Sequence, residues 1–221
     1  MPHPSTVVFD LGGVLIDWDP RYAYRQLGGT EDEIEHFLEH VAVGEWNRQM
    51  DAGKPFAQAI AERKARFPDH ADWLDAWWDR WPDMLGGPIE GTVRILRELL
   101  DAGTPVYALT NWSAETFPIA QERFDFLGWF RGIVVSGEVE KAKPDADIFG
   151  HLSDDFGIDP ADAVFIDDSA PNVATARRLG FHGLVFTSPE ALRADLARLG
   201  LPVAPPDAAP PDAAPEAGRP D

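Results

Sequence analysis

Val7-Val8-Phe9-Asp10-Leu11-Gly12-Gly13 is the stretch that decides the fold: three consecutive apolar residues, one carboxylate, and then a glycine pair one residue on. An apolar run with no polar alternation has both faces to bury, which suits a strand of a parallel sheet. The glycines mark an exit into a tight loop. The same pattern recurs along the chain. Val106-Tyr107-Ala108-Leu109 runs into Thr110-Asn111, and Ile133-Val134-Val135 into Ser136-Gly137. Val164-Phe165-Ile166 runs into Asp167-Asp168-Ser169, and Leu184-Val185-Phe186 into Thr187-Ser188.

Helical patterns separate these runs. Glu90 to Ala102 sets Val93, Ile95, Leu96, Leu99 and Leu100 at helical spacing and stops at Gly103. Asp145 to Phe156, Ala170 to Leu179 and Pro189 to Leu199 read the same way, the last with Ser188 as N-cap. Strand-helix alternation predicts an α/β fold with a doubly wound parallel sheet, a Rossmann-like core.

Residues 17–87 break the alternation, and no strand is predicted there. Asp19-Pro20 starts one helix, Thr30 with Glu33 has capping-box spacing for a second, Pro55 opens a third, and Asp69 to Trp81 forms a fourth. Trp46, Trp73, Trp77, Trp78 and Trp81 gather here, most simply as the core of a helical insert; Trp46 or a neighbour lining a pocket is the alternative. The expected organisation is an α/β core of residues 1–16 and 88–201, a helical cap of residues 17–87, and a Pro/Ala-rich tail of residues 202–221. The tail repeats Ala-Pro-Pro-Asp-Ala and is expected to be disordered and without chemistry.

With 221 residues the chain is long enough for one sizeable core with an insert. Its net charge of −19 repels nucleic acid and anionic membranes. A bound anion would therefore need local compensation from a cation, a lysine or backbone N–H groups. The absence of cysteine excludes disulfides and thiolate metal sites. No run approaches the ~18 apolar residues of a membrane span. Only six residues precede the first strand, too few for a signal peptide, so a cytoplasmic location is expected.

Ligands of an open α/β sheet bind at the carboxyl ends of its strands. This chain delivers Asp10, Thr110, Asn111, Asp167 and Asp168 there, with Lys143 shortly after the third strand. Three carboxylates crowded at one edge repel each other. A bound Mg²⁺ is the natural solution, because hard cations prefer carboxylate oxygens. A single Asp at a strand end is usually a turn or cap residue; the recurrence in order is what points to a site.

Phe9-Asp10-Leu11-Gly12-Gly13-Val14-Leu15 resembles the first motif of the haloacid dehalogenase-like superfamily. Tyr107 to Asn111 is similar to the second, and Lys143-Pro144-Asp145 with Ile148-Phe149 to the third. Phe165 to Asn172 is similar to the fourth, and the likeness runs from Thr6 to Leu199 with the insert at the place of a C1 cap. The resemblance implies that Asp10 is a nucleophile forming an aspartyl-phosphate. It implies that Asp10, the Gly12 carbonyl, Asp167 and Asp168 hold Mg²⁺. It further implies that Thr110 and Asn111 bind the phosphoryl group and that Lys143 neutralises charge on Asp10 and the phosphate.

One position departs from the pattern. Phosphatases of this superfamily usually carry a second Asp two residues after the nucleophile, to protonate the leaving oxygen and activate water. Here Gly12 stands in its place. The expectation is a preference for good leaving groups, such as sugar 1-phosphates or acyl phosphates. Asp17 or Asp19 is a substitute acid or, equally, a cap of the first insert helix. The leading reading is a Mg²⁺-dependent phosphatase of a small phosphorylated metabolite. The alternatives are a metal-independent 2-haloacid dehalogenase and a non-catalytic module of the same fold. Paired acids at Asp167 and Asp168 argue for a metal. The insert is expected to close over the site through the loop after Leu15 and the stretch Gly44-Glu45-Trp46-Asn47, with Trp112 as pocket wall or loop packing.

Overall fold

The computed structural model describes residues 3–204. Five parallel strands form the main sheet: β1 (Thr6–Phe9), β4 (Val106–Thr110), β5 (Ile133–Val135), β6 (Ala163–Asp167) and β7 (His182–Val185), in the order β5-β4-β1-β6-β7. Every one of the five apolar runs is a strand, and the sheet winds outward in both directions from β1.

Burial on both faces follows from the side-chain period of two. Val7, Phe9, Val106, Ala108, Val164 and Ile166 face one core with Ile95, Leu96, Leu99 and Leu192. Val8, Leu109 and Phe165 face the opposite core with Ile148, Phe149, Leu152 and Ala176. Each fully buried aliphatic or aromatic side chain of this kind contributes about 1.5–3 kcal/mol of apolar transfer. The first core is covered by α6 (Glu90–Asp101) and α11 (Pro189–Arg198), the second by α9 (Ala146–Phe156) and α10 (Ala170–Arg178), while the short α7 (Phe117–Arg123) and α8 (Ser136–Val139) follow β4 and β5. Ser188 caps α11 as expected, its hydroxyl accepting from the Ala191 N–H.

The insert contains α1 (Arg21–Gln26), α2 (Glu31–His36), α3 (Gly44–Asp51), α4 (Phe56–Arg66) and α5 (Ala71–Asp79). Thr30 and Glu33 complete the capping box at α2. The expectation of no strand in the insert is corrected. β2 (Ile16–Trp18) pairs antiparallel with β3 (Leu85–Pro88), forming a two-stranded stem where the insert leaves and rejoins the sheet. Runs of three and four residues, with Gly86-Gly87 in one of them, carry no alternation from which to read a strand.

The tail expectation lies mostly outside the described residues. Of its first three residues, Val203 packs against the main core and Ala204 is held by both Glu98 and Arg193, so these are ordered rather than disordered. Among the described residues, no helix is long and apolar enough to cross a membrane.

Candidate active site

Parallel register builds the centre of the site. Phe9 pairs with Ile166, and the Asp10 N–H continues the ladder by donating to the Ile166 carbonyl at 2.8 Å. Asp10 and Asp167 therefore stand side by side at the carboxyl end of adjacent strands. Asp10 is 7% exposed and Asp167 is fully buried.

Lys143 enters between them from the loop that precedes α9. Its Nζ donates to the Leu109 carbonyl at 2.7 Å and to Asp167 Oδ2 at 2.7 Å, and lies 2.9 Å from Asp10 Oδ1. Three acceptors use all three ammonium protons. Burial alone would push this ammonium down, but the charges of Asp10 and Asp167 hold its pKa above the ordinary lysine value. Burial pushes the Asp10 carboxyl up; Lys143 pulls it down and Asp167 raises it further.

Asp167 is saturated. Its Oδ1 accepts from the Ser169 N–H at 2.8 Å and from Asn172 Nδ2 at 3.0 Å, and its Oδ2 accepts from Asn172 as well as Lys143. Asp168, one residue on, is exposed at the cavity instead. Burial of its surroundings and the Asp167 charge raise its pKa. Asp10, Asp167 and Asp168 each offer an oxygen within 4.8 Å of the others. A set of hard carboxylate oxygens at this separation fits a divalent cation such as Mg²⁺. Gly13 makes room for it: its φ is +72°, and a Cβ there would stand 2.4 Å from Asp168 Oδ2.

The end of β4 supplies the opposite wall. Thr110 is 1% exposed and its Oγ1 has no partner among the described residues. A buried hydroxyl without a partner costs stability unless a ligand satisfies it. Asn111 lines the cavity, but its side chain has a job the sequence did not reveal. It donates to the Lys143 carbonyl at 2.9 Å and accepts from the Lys143 N–H at 2.8 Å, clamping the lysine loop to the β4 end. One amide proton remains for a ligand.

Beside them is a cavity of about 220 Å³, whose lining does not include the buried Thr110, Lys143 or Asp167. The core lines it with Asp10, Gly12, Gly13, Asn111, Trp112 and Asp168, and the insert with Trp18, Asn47, Asp51 and Trp81. Of the stretch 44–47 only Asn47 reaches it. Trp46 is insert core, its indole N–H donating to the Ala59 carbonyl. Trp112 is both wall and packing: its ring meets Trp81 at a tilt and Phe117 edge to face, and its Nε1 is buried without a partner among the described residues. Asp17 and Asp19 are engaged elsewhere. Asp17 accepts from the Tyr22 hydroxyl, and Asp19 accepts from the Arg21 N–H at the start of α1. His36 and His40 stack on each other at an exposed face, away from the cavity.

Asp51 and Trp81 were not anticipated as site residues, whereas Trp18 lies in the stretch after Leu15 that was expected to reach the site. Asn47 and Asp51 are four apart on α3, so they share a helix face. That spacing was the signal available; what it could not give was the direction of the face.

An open α/β sheet thus carries a lysine-bridged carboxylate pair at its carboxyl edge, under a helical insert. A family model of haloacid dehalogenase-like hydrolases matches residues 4–180, and the chain belongs to that family of hydrolases. The sesquiterpene phosphatase astK of Aspergillus oryzae is 26% identical over 200 residues, spanning 88% of this chain and 96% of that protein. The phosphoglycolate phosphatase of Thiobacillus denitrificans is 26% identical over 194 residues, 80% of each. Among solved structures, the HAD family enzyme bt-2542 of Bacteroides thetaiotaomicron, in complex with magnesium and inorganic phosphate, superposes with a TM-score of 0.62 at 23% identity. It covers 84% of this chain and 95% of that one.

Proposed function

We propose that this chain is a Mg²⁺-dependent phosphatase that hydrolyses a small phosphorylated metabolite through a phosphoryl group carried on Asp10. The observation that carries the reading is the division of labour among the three acids. Asp10 is held by Lys143 with an oxygen at the cavity, Asp168 faces the same cavity, and Asp167 is bonded on both oxygens. Similarity to two phosphatases over most of the chain supports it.

In this reading Asp10 and Asp168 hold the metal directly, together with the Gly12 carbonyl. Asp167 stands in the same cluster and holds Lys143 in place. When bound, Mg²⁺ would neutralise the phosphate oxygens and the carboxylates around them. The chain's own residues do the rest. Asp10 attacks phosphorus, and Lys143 keeps it anionic and aimed. The unpaired Thr110 hydroxyl and the free amide proton of Asn111 bind the phosphoryl oxygens. Buried donors set in advance act where charge develops and cost no reorganisation.

The clustered acids Asp10, Asp167 and Asp168 argue for a metal, and therefore against metal-independent dehalogenation at carbon. The walls add a substrate preference. Trp18, Trp81 and Trp112 are apolar, and among the described residues no lysine or arginine lines the cavity. A monophosphate whose remainder is uncharged fits better than one with a second anionic group. The test is a panel of phosphorylated metabolites assayed for phosphate release with Mg²⁺ and with chelator. Release that needs Mg²⁺ is expected; halide release from 2-haloacids that persists in chelator would overturn the reading.

A further inference from the structure

The reaction just proposed needs a proton at the leaving oxygen and a base for water, and Gly12 has no side chain to supply either. Among the cavity-lining residues, one carboxylate is left without a role. Asp51, the last residue of α3, lines the same cavity as Asp10. It forms no hydrogen bond or ion pair with the metal-site cluster among the described residues.

Two hydrogen bonds hold its position. Asn47 Nδ2 donates to Asp51 Oδ2 at 2.9 Å. The Ser113 N–H, from the loop after β4, is near enough to pull the pKa of the same carboxyl down. The Ser136 hydroxyl, fully buried at the end of β5, donates to the Asp51 carbonyl at 2.5 Å and accepts from the Trp112 N–H at 2.8 Å. A core side chain thus fixes the end of an insert helix over the sheet edge. Such fixation is what a catalytic group requires and what a solvated helix end does not.

We infer that Asp51 is the general acid and base of this site, supplied by the insert in place of a side chain at position 12; the inference rests on the phosphatase reading above. In the first half-reaction an oxygen of Asp10 attacks phosphorus and the bond from phosphorus to the leaving oxygen breaks. The Asp51 proton passes to that oxygen, and the alcohol departs. In the second, the Asp51 carboxylate takes a proton from water as the water oxygen attacks phosphorus. The Asp10–phosphorus bond breaks, returning a free Asp10 carboxylate, inorganic phosphate and a protonated Asp51. The protonation state suits the first step. Burial, and then the charge of Asp10, push the Asp51 carboxyl up to about 8, while Arg48 and the Ser113 N–H pull the other way.

The inference also relaxes the expected restriction to good leaving groups, since an acid is present. The experiment compares wild type, Asp51→Asn and the double variant Asp51→Asn with Gly12→Asp. A Cβ at Gly12 meets nothing within 4 Å, so a side chain has space to start there. The substrates are p-nitrophenyl phosphate, with a good leaving group, and a simple alkyl phosphate, with a poor one. Phosphoryl-Asp10 is measured after acid quench.

Asp51→Asn is expected to lower kcat/KM on the alkyl phosphate by about 10²–10⁴-fold. On p-nitrophenyl phosphate the loss in kcat/KM is expected to be much smaller. A burst of nitrophenol should appear, with phosphoryl-Asp10 accumulating because its hydrolysis has lost its base. The double variant should recover part of the alkyl-phosphate rate. Equal losses on both substrates without accumulation would mean a merely structural role and would overturn the inference, as would unchanged kinetics. A wild type that forms no phosphoryl-Asp10 would instead overturn the phosphatase reading, and the role of Asp51 with it.

Discussion

Replacing Lys143 by Met, which keeps the length and removes the charge, should damage both stability and chemistry. The ammonium is 0% exposed and is the one cation among two buried carboxylates, 2.7 Å from Asp167 and 2.9 Å from Asp10. At an effective dielectric of 20 each contact is worth about 6 kcal/mol before desolvation is counted. Desolvation offsets much of this, and removing one partner of a buried pair costs about 3–5 kcal/mol, because the remaining charge is stranded. For a chain of this size that corresponds to a Tm lower by about 6–20 °C. The Leu109 carbonyl loses its buried donor as well. Loss of charge compensation in the transition state should lower kcat by about 10²–10³-fold. Thermal unfolding and steady-state phosphate release, the latter well below the variant's Tm, measure the two effects separately. A Tm within about 2 °C of wild type would refute the claim that this lysine neutralises a buried pair. Unchanged kinetics would remove Lys143 from the site.

Gly13→Ala should raise the Mg²⁺ concentration needed for half-maximal activity, because its Cβ would collide with Asp168 and its φ of +72° disfavours any side chain; a Mg²⁺ titration checks it. Ser136→Ala should cost about 1–3 kcal/mol in urea unfolding, since the buried Trp112 N–H loses its acceptor. Arg193, by hydrogen bond and charge, holds the Glu98 carboxyl below its ordinary value of 4.5. The stability it contributes is therefore full above pH 4.5 and fades as the pH falls through the lower, folded-state value. Glu98→Gln should destabilise by about 1 kcal/mol at pH 7 and progressively less in acid, which paired denaturation curves at the two pH values would show.

The sheet was legible because its strands are buried on both faces, so each writes an unbroken apolar run with a polar residue at its end. Asp10, Thr110 and Asp168 could be placed together for the same reason, since sheet edges bring strand ends together whatever the loops do; Lys143 reaches that edge from the loop before α9. The stem of β2 and β3 was not, since Gly86 and Gly87 contribute no pattern and the pairing is made by chain closure across the insert. Asn111 was placed correctly at the cavity, but its clamp on Lys143 depends on a loop more than thirty residues away. Asp51 was invisible for a different reason. Nothing in Arg48-Gln49-Met50-Asp51 distinguishes a catalytic carboxylate from a solvated helix end; only the packing of α3 against the Ser113 and Ser136 loops does.

The most direct test is to mix the enzyme with Mg²⁺ and a turned-over phosphomonoester, quench in acid within a single turnover, and map the phosphoryl group by peptide mass spectrometry. The adduct should fall on the peptide containing Asp10 and vanish in Asp10→Asn with the fold intact. Phosphate release by Asp10→Asn at the wild-type rate, or an adduct on any other residue, would contradict the account.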